Sequence, residues 1–150
     1  MNTACFEYNQ IDAAICQLNR AITIFLDDKD FFSSATLAGA AEELFGKMLT
    51  QYGRKTSLQK EIDTYSEYLT NQELIDLAEK QNKEKSLIRI INNQRDWLKH
   101  LKNEDFYNYQ NPEDEACALI ARAIENYNEI FPELTSEMEK FRTFQQNKHD

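Results

Sequence analysis

The fold of this chain is decided by the stretch ATLAGAAEELFGKMLTQY, residues 35–52. Its apolar residues recur every three or four positions, which places them on one face of an α-helix. They are Leu37, Ala38, Ala41, Leu44, Phe45, Met48 and Leu49. Residues 38–41 are small, and Gly39 weakens a helix, so a close approach of another helix is the plausible reason for this composition. The stretch predicts a buried helix that packs through the patch at residues 38–41.

The preceding segment repeats the same spacing. Its apolar positions are Ile11, Ala14, Ile15, Leu18, Ala21, Ile22, Phe25 and Leu26. The polar run Asp27-Asp28-Lys29-Asp30 is expected to end this helix, and Ser33 or Ser34 to cap the next one, over about residues 35–52. A short connection between two helices favours an antiparallel hairpin.

Downstream of residue 52 the pattern also predicts helices. Gly53 is a helix stop, and a weaker helix follows through Leu58, Ile62, Tyr65 and Leu69. Further helices are expected near residues 74–78, at 84–101, from Pro112 in a first turn through Tyr127, and at 135–145, with Pro132 as an interruption and frayed residues 146–150. We therefore expect an all-α single domain over residues 1–150, an elongated bundle of five to seven helices with its core at about 10–130 and a C-terminal helix at about 135–145.

The composition excludes several classes of protein. The chain has 150 residues, 41% of them hydrophobic, with three glycines and two prolines. No apolar run approaches a membrane span and no signal peptide is recognisable, so we expect a cytoplasmic protein without membrane contact. The cysteines, Cys5, Cys16 and Cys117, have no metal-binding spacing. We expect no metal and no cofactor, and a core position for Cys16 and Cys117.

The charge is distributed unevenly. The net charge of −9 argues against a general nucleic-acid coat protein. Residues 80–102 nevertheless carry a local charge of +5, whereas residues 104–139 carry −9 with Arg122 as their basic residue. The basic segment is either a solvated helix face or a docking strip for phosphates or an acidic partner.

The basic segment ends in Arg95-Asp96-Trp97-Leu98-Lys99-His100. Arginine offers a permanent planar cation that suits phosphate oxygens, and histidine exchanges protons near neutral pH. On a continuous helix Arg95 and His100 are about 140° apart, whereas Asp96 and His100 share a face. Arg95 and His100 can therefore join one site only if the helix breaks near His100 or a second copy supplies one partner. The alternative is an exposed basic helix end with a chance histidine.

This hexapeptide, late in a helical chain, resembles the R-x4-H motif of HEPN domains (higher eukaryotes and prokaryotes nucleotide-binding). The family has a polar residue after the arginine, as Asp96 is here. The string Glu42-Glu43-Leu44-Phe45-Gly46-Lys47 is similar to the Glu-Glu-x-x-Gly-Lys string of some HEPN branches, and residues 35–43 to uncharacterised bacterial HEPN-like proteins. The resemblance covers roughly residues 10–130.

The resemblance implies a metal-independent endoribonuclease of toxin or antiphage type, built as a homodimer in which two motifs form one site. It implies that Arg95 binds phosphate, His100 transfers protons and Asp96 orients the site. Lys99, Lys102 and Asn92 would bind substrate, and Glu42, Glu43 and Lys47 would support the site. Other HEPN domains are noncatalytic and bind a nucleotide, or a protein such as a nucleotidyltransferase-type antitoxin. The string at residues 42–47 has a second interpretation, an ordinary surface network of i, i+4 charges.

Overall fold

A computed structural model describes residues 9–68 and 111–149. These residues form five α-helices and contain no β-strand, so the expected all-α bundle is confirmed. The helices are α1 (Gln10–Thr23), α2 (Phe31–Gln51), α3 (Ser57–Tyr68), α4 (Pro112–Ile130) and α5 (Ser136–His149). A π-helical segment, Ile24–Asp28, continues α1 up to Lys29, whose φ of 58° turns the chain towards α2. The long helix expected at residues 84–101 lies outside the described residues.

Short polar side chains set the helix starts. Asn9 accepts a hydrogen bond from the backbone of Asp12, whose carboxylate accepts one from the backbone of Asn9, which is a capping box at α1. Asn111 caps α4, and Pro112 occupies its first turn as expected. Gly53, with a φ of 68°, follows the end of α2, in agreement with its predicted role as a stop.

The start of α2 differs from the sequence expectation. The helix begins at Phe31, and its cap is Asp30, not Ser33 or Ser34. The Asp30 carboxylate accepts hydrogen bonds from the backbone and the hydroxyl of Ser33, at 3.1 and 2.5 Å. The backbone amide of Ser33 lies in the first turn and has no carbonyl partner within the helix, so its bond to Asp30 replaces no helical hydrogen bond. Ser34 is buried and donates to the carbonyl of Ala21 at 2.8 Å, which ties α2 to α1.

The contacts between helices give the topology. α1 and α2 form the expected antiparallel hairpin. α2 and α4 run parallel, because Glu42 lies beside Arg122 and Phe45 beside Tyr127. α3 runs antiparallel to α4, and α5 returns along α4 from residue 135 to Lys148, which lies 3.7 Å from Glu113. The chain therefore leaves α3 and enters α4 at the same end of the bundle.

The core combines small residues with aromatic rings. α2 packs most extensively against α4, and alanines on both helices are fully buried: Ala35, Ala38, Ala41, Ala116 and Ala123. Phe25 makes edge-on contacts with Phe31, Phe141 and Phe144, which join the end of α1 to α5. The small-residue patch thus serves the α2–α4 contact as well as the hairpin.

Two further expectations were wrong. α5 extends to His149 instead of fraying after residue 145, and Lys148 lies near the carboxylates of Glu113 and Asp114 at the start of α4. Cys16 is exposed, whereas Cys117 is partly buried. None of the described helices is both long enough and apolar enough to cross a membrane.

Candidate functional site

The R-x4-H residues Arg95, Asp96 and His100 lie outside the described residues, and so do Asn92, Lys99 and Lys102. The three remaining candidates, Glu42, Glu43 and Lys47, lie on α2 and have very different surroundings.

Glu43 and Lys47 form a surface ion pair. Their charged atoms are 3.0 Å apart one helical turn from each other, and the side chains are 43% and 67% exposed. This is the geometry of an i, i+4 pair on a solvated helix face, which stabilises a helix by a few tenths of a kcal/mol. The described contacts give these two residues a role in the surface of α2.

Glu42 lies on a buried side of α2. Its side chain is 4% exposed and that of Arg122 on α4 is 6% exposed, and Arg122 Nε donates to Glu42 Oε1 at 3.1 Å. Buried charges are costly unless they are paired and hydrogen-bonded. The pair therefore fixes how α2 and α4 face each other in the most extensive helix contact of the described bundle.

A polar layer surrounds this pair. Asn126, one turn along α4, donates to the backbone carbonyl of Glu42 at 3.4 Å and accepts from the backbone amide of Ser57 at 2.7 Å. The Ser57 hydroxyl donates to Glu125 Oε2 at 2.5 Å. Asn126 is 1% exposed and Ser57 is 3% exposed. One buried amide thus links α2, α4 and the first turn of α3.

Glu61 places a second carboxylate near the same cation. Its Oε2 is 3.6 Å from Arg122 Nη1, and its side chain is 39% exposed. Burial raises the pKa of Glu61 above its ordinary value; Arg122 opposes that shift, and Glu125 and Glu42 add to it. Among the described residues, Arg122 Nη2 has no hydrogen-bond partner. The Arg122 guanidinium on α4 therefore contacts both neighbouring helices, closely at Glu42 on α2 and at a longer distance at Glu61 on α3.

The chemical capacity of the described residues is limited. Within residues 9–68 and 111–149, no three His, Cys, Asp or Glu side chains are grouped so that they could hold a metal ion. Burial raises the pKa of the Cys117 thiol, which disfavours the reactive thiolate. In the polar layer around Arg122, the residues Glu42, Ser57, Arg122 and Asn126 are buried. Their arrangement suits the positioning of α2, α3 and α4.

Sequence reasoning missed Arg122, Asn126 and Glu61 as members of this layer. By its charge alone, Arg122 is only the basic residue of the acidic segment 104–139. A stronger signal was present, because Arg122 stands between Leu119 and Ala123 on the apolar face of its helix. A charge on an apolar stripe indicates a buried partner. The identity of that partner is not readable from local spacing.

No family model matches this chain, and no curated protein or solved structure is significantly similar to it.

The raised pKa of Glu61 leads to a prediction about stability and pH. A carboxyl that binds its proton more tightly in the folded state stabilises the fold below its unfolded pKa, and this contribution is lost as pH rises through the folded pKa. Glu61→Gln should therefore raise the free energy of unfolding near neutral pH, by less than about 1 kcal/mol because the side chain is partly exposed. Urea unfolding should show that this gain in the free energy of unfolding shrinks as the pH falls towards the ordinary pKa of a glutamate.

Glu129→Gln is the matched control for this prediction. The hydrogen bond from Lys60, with the charges of Lys60 and Arg54, lowers the pKa of Glu129. Its contribution is present at neutral pH and lost as pH falls, so this substitution should destabilise the protein near neutral pH. Equal effects of the two substitutions on stability at all pH values would contradict the opposite pKa shifts of Glu61 and Glu129.

Proposed function

We propose that this chain is a HEPN-like protein that acts on RNA through Arg95, Asp96 and His100. The observation that carries the proposal is the R-x4-H motif at the end of the basic segment 80–102, in a chain that is otherwise acidic. A local positive charge attracts phosphates even when the whole protein repels them. The all-α bundle of the described residues supports the proposal, because the resemblance implies such a fold.

In the proposed reaction, the 2′-oxygen of a ribose attacks the adjacent phosphorus and the bond from phosphorus to the 5′-oxygen breaks. The 2′-hydroxyl proton is removed, and a proton is delivered to the departing 5′-oxygen. The products are a 2′,3′-cyclic phosphate and a 5′-hydroxyl. His100 carries out proton transfer, Arg95 stabilises the charge on the phosphate, and Asp96 orients the imidazole. On one helix Arg95 and His100 are about 140° apart and do not share a face. A homodimer would bring two motifs together, so that a second copy could supply one of the two residues.

The second candidate is a noncatalytic HEPN-like dimer that binds a nucleotide or a protein partner. Two observations favour it. The net charge of −9 opposes RNA binding outside the basic segment. Glu42, which the resemblance offers as a supporting residue of the site, is buried beside Arg122. Binding without cleavage separates this candidate from the first.

The test is RNA cleavage by the full chain with divalent metals chelated. Arg95→Lys should lower the cleavage rate by at least about tenfold, because lysine keeps the charge but loses the bidentate fork that binds phosphate. Product analysis should detect the 2′,3′-cyclic phosphate. Arg142→Lys, at an exposed position of α5, is the matched control and should cleave at the wild-type rate.

Two outcomes would contradict the ribonuclease assignment. One is cleavage that needs an added divalent metal or that is unchanged by Arg95→Lys. The other is an absence of cleavage across a mixed RNA pool, together with tight binding of a nucleotide or a protein, which would favour the noncatalytic candidate.

A further inference from the structure

An apolar groove lies at the end of the bundle where α1 begins and where α2 and α4 end. It has a volume of about 530 Å³, and its apolar lining consists of Ile11, Met48, Leu49, Ile130 and Phe131. A neighbouring depression of about 250 Å³ shares Ile11, Met48 and Tyr52 with it. Apolar clefts of several hundred Å³ are large enough to bury a bulky group.

The charges at the edge of the groove are already paired. Arg54 and Glu129 both line it, and the Arg54 guanidinium donates hydrogen bonds to the carboxylate and the backbone carbonyl of Glu129. In the neighbouring depression, Lys47 forms an ion pair with Glu43. The described lining therefore offers apolar surface flanked by paired charges, and we expect its occupant to contribute apolar side chains.

The chain enters α1 at the edge of this groove. Gln10 lines the depression and Ile11 lines both compartments, so residues 1–8, which lie outside the described residues, are tethered beside them. Their sequence is MNTACFEY. Phe6 stands five positions before Ile11, and a chain spans at most about 3.3–3.6 Å per residue, so Phe6 can lie anywhere within about 17 Å of Ile11. The tether therefore keeps an aromatic side chain within reach of the groove.

We propose that residues 1–8 fold back over this groove as a strap and that the ring of Phe6 occupies it. The ring would lie against Met48 and Phe131, which are the apolar walls contributed by α2 and by the end of α4. A tethered side chain docks without the loss of translational freedom that a separate molecule suffers, so a single aromatic contact can populate the docked state. The docked strap would close the groove to outside ligands.

Tyr8 adds to the same contact. Side chains two positions apart lie on the same side of an extended chain, and Asn9, the next residue, has extended backbone angles, with a φ of −105° and a ψ of 173°. A strap that continues this conformation would place Phe6 and Tyr8 on one side and Glu7 on the other. The two rings would then face the groove while the carboxylate stays in water.

Two other occupants are less favoured. A second copy of the chain carries the same net charge of −9, which opposes association. Residues 69–110 join α4 at its start, and a helix from Pro112 to Ile130 rises about 27 Å, so this segment would have to return along the bundle to reach the groove. The strap needs no such span, and its docking is independent of the R-x4-H motif.

The first experiment locates Phe6 directly in the full chain. The chain has three methionines; Met48 lines the groove, whereas Met138 is fully buried in the core. With carbon-labelled methionine methyl groups, we expect a nuclear Overhauser effect between the Met48 methyl and the Phe6 ring, and none between Met138 and that ring. Phe6→Ala assigns the signal, because the effect disappears with the ring. A sample that mixes labelled and unlabelled copies separates contacts within one chain from contacts between two.

The second experiment measures how well the strap covers Met48. Oxidation of a methionine by hydrogen peroxide follows its exposure, so Phe6→Ala should speed sulfoxide formation at Met48 by about threefold or more and leave Met138 unchanged. Phe6→Leu keeps an apolar side chain and should restore most of the protection. Phe32→Ala is the matched control, because this exposed phenylalanine lies at the start of α2, away from the groove. Thermal melting checks that each variant is folded.

Three outcomes would overturn the proposal. The first is a wild-type chain in which the Met48 methyl shows no contact with the Phe6 ring, a result that does not depend on any variant folding. The second is a contact of that methyl with an aromatic ring from residues 69–110 or from a second copy in place of Phe6. The third is a folded Phe6→Ala variant whose Met48 is oxidised at the wild-type rate.

Discussion

Arg122→Met is expected to lower the free energy of unfolding by about 3–5 kcal/mol, because it leaves the carboxylate of Glu42 buried without its cation. The two side chains are 6% and 4% exposed, so water cannot replace the lost partner at low cost. Glu61 loses the same cation. Urea unfolding at neutral pH measures the effect, and a loss of this size is a large part of the stability of a small domain.

A double variant distinguishes the lost pairing from a simple packing defect. Glu42→Gln combined with Arg122→Met removes the buried negative charge and should be clearly more stable than Arg122→Met alone. Arg142→Met, on the exposed surface of α5, should change stability by less than about 0.5 kcal/mol. A single Arg122→Met variant as stable as the wild type would show that the pair does not hold α2 and α4 together.

The described helices could largely be predicted from the sequence, because the residues that indicate each helix lie within it or next to its ends. The spacing of Leu18, Ala21, Phe25, Ala38 and Phe45 alone identifies the buried faces of α1 and α2, and these residues are indeed buried. Gly53 follows the end of one helix and Pro112 begins another because of their own backbone preferences. Fold class and helix order follow from such signals without knowledge of any contact between distant residues.

The errors came from competition between similar signals. Asp30, Ser33 and Ser34 are all good helix caps, and the sequence does not decide among them. In the structure Asp30 accepts the capping hydrogen bonds, which Ser33 donates, and Ser34 donates to the carbonyl of Ala21 on α1. Near the end of α5, Lys148 lies 3.7 and 3.8 Å from the carboxylates of Glu113 and Asp114 on α4. Both contacts join different helices, and local sequence patterns do not contain such contacts.

The polar layer around Arg122 is even less predictable from local sequence patterns. Arg122 and Glu42 are 80 residues apart in the chain, so no spacing rule connects them. The two glutamates at 42 and 43 look equivalent in the sequence, yet one is buried and the other lies on the surface. Only the packing of α2 against α4 separates them, and that packing gives the string at residues 42–47 a structural role that its charges do not reveal.

His100→Ala is expected to lower the rate of RNA cleavage by about 10²–10⁴-fold, which is the usual contribution of a general acid or base. The expectation rests on the proposed function, since a 2′-hydroxyl attacks poorly unless its proton is removed and a 5′-oxygen leaves poorly unless it is protonated. Single-turnover cleavage with divalent metals chelated measures the chemical step, and binding of the same RNA to the variant shows whether the substrate is still held.

The chain provides its own control, because it has two histidines. His149→Ala, at the exposed end of α5, should leave the rate unchanged, so a loss confined to His100→Ala cannot come from a contaminating nuclease or from removing any imidazole. Unfolding of both variants in urea should match the wild type if His100 acts in chemistry and not in folding. Cleavage at the wild-type rate by a folded His100→Ala variant would remove this residue from the mechanism, and the R-x4-H motif would then be left with a binding role.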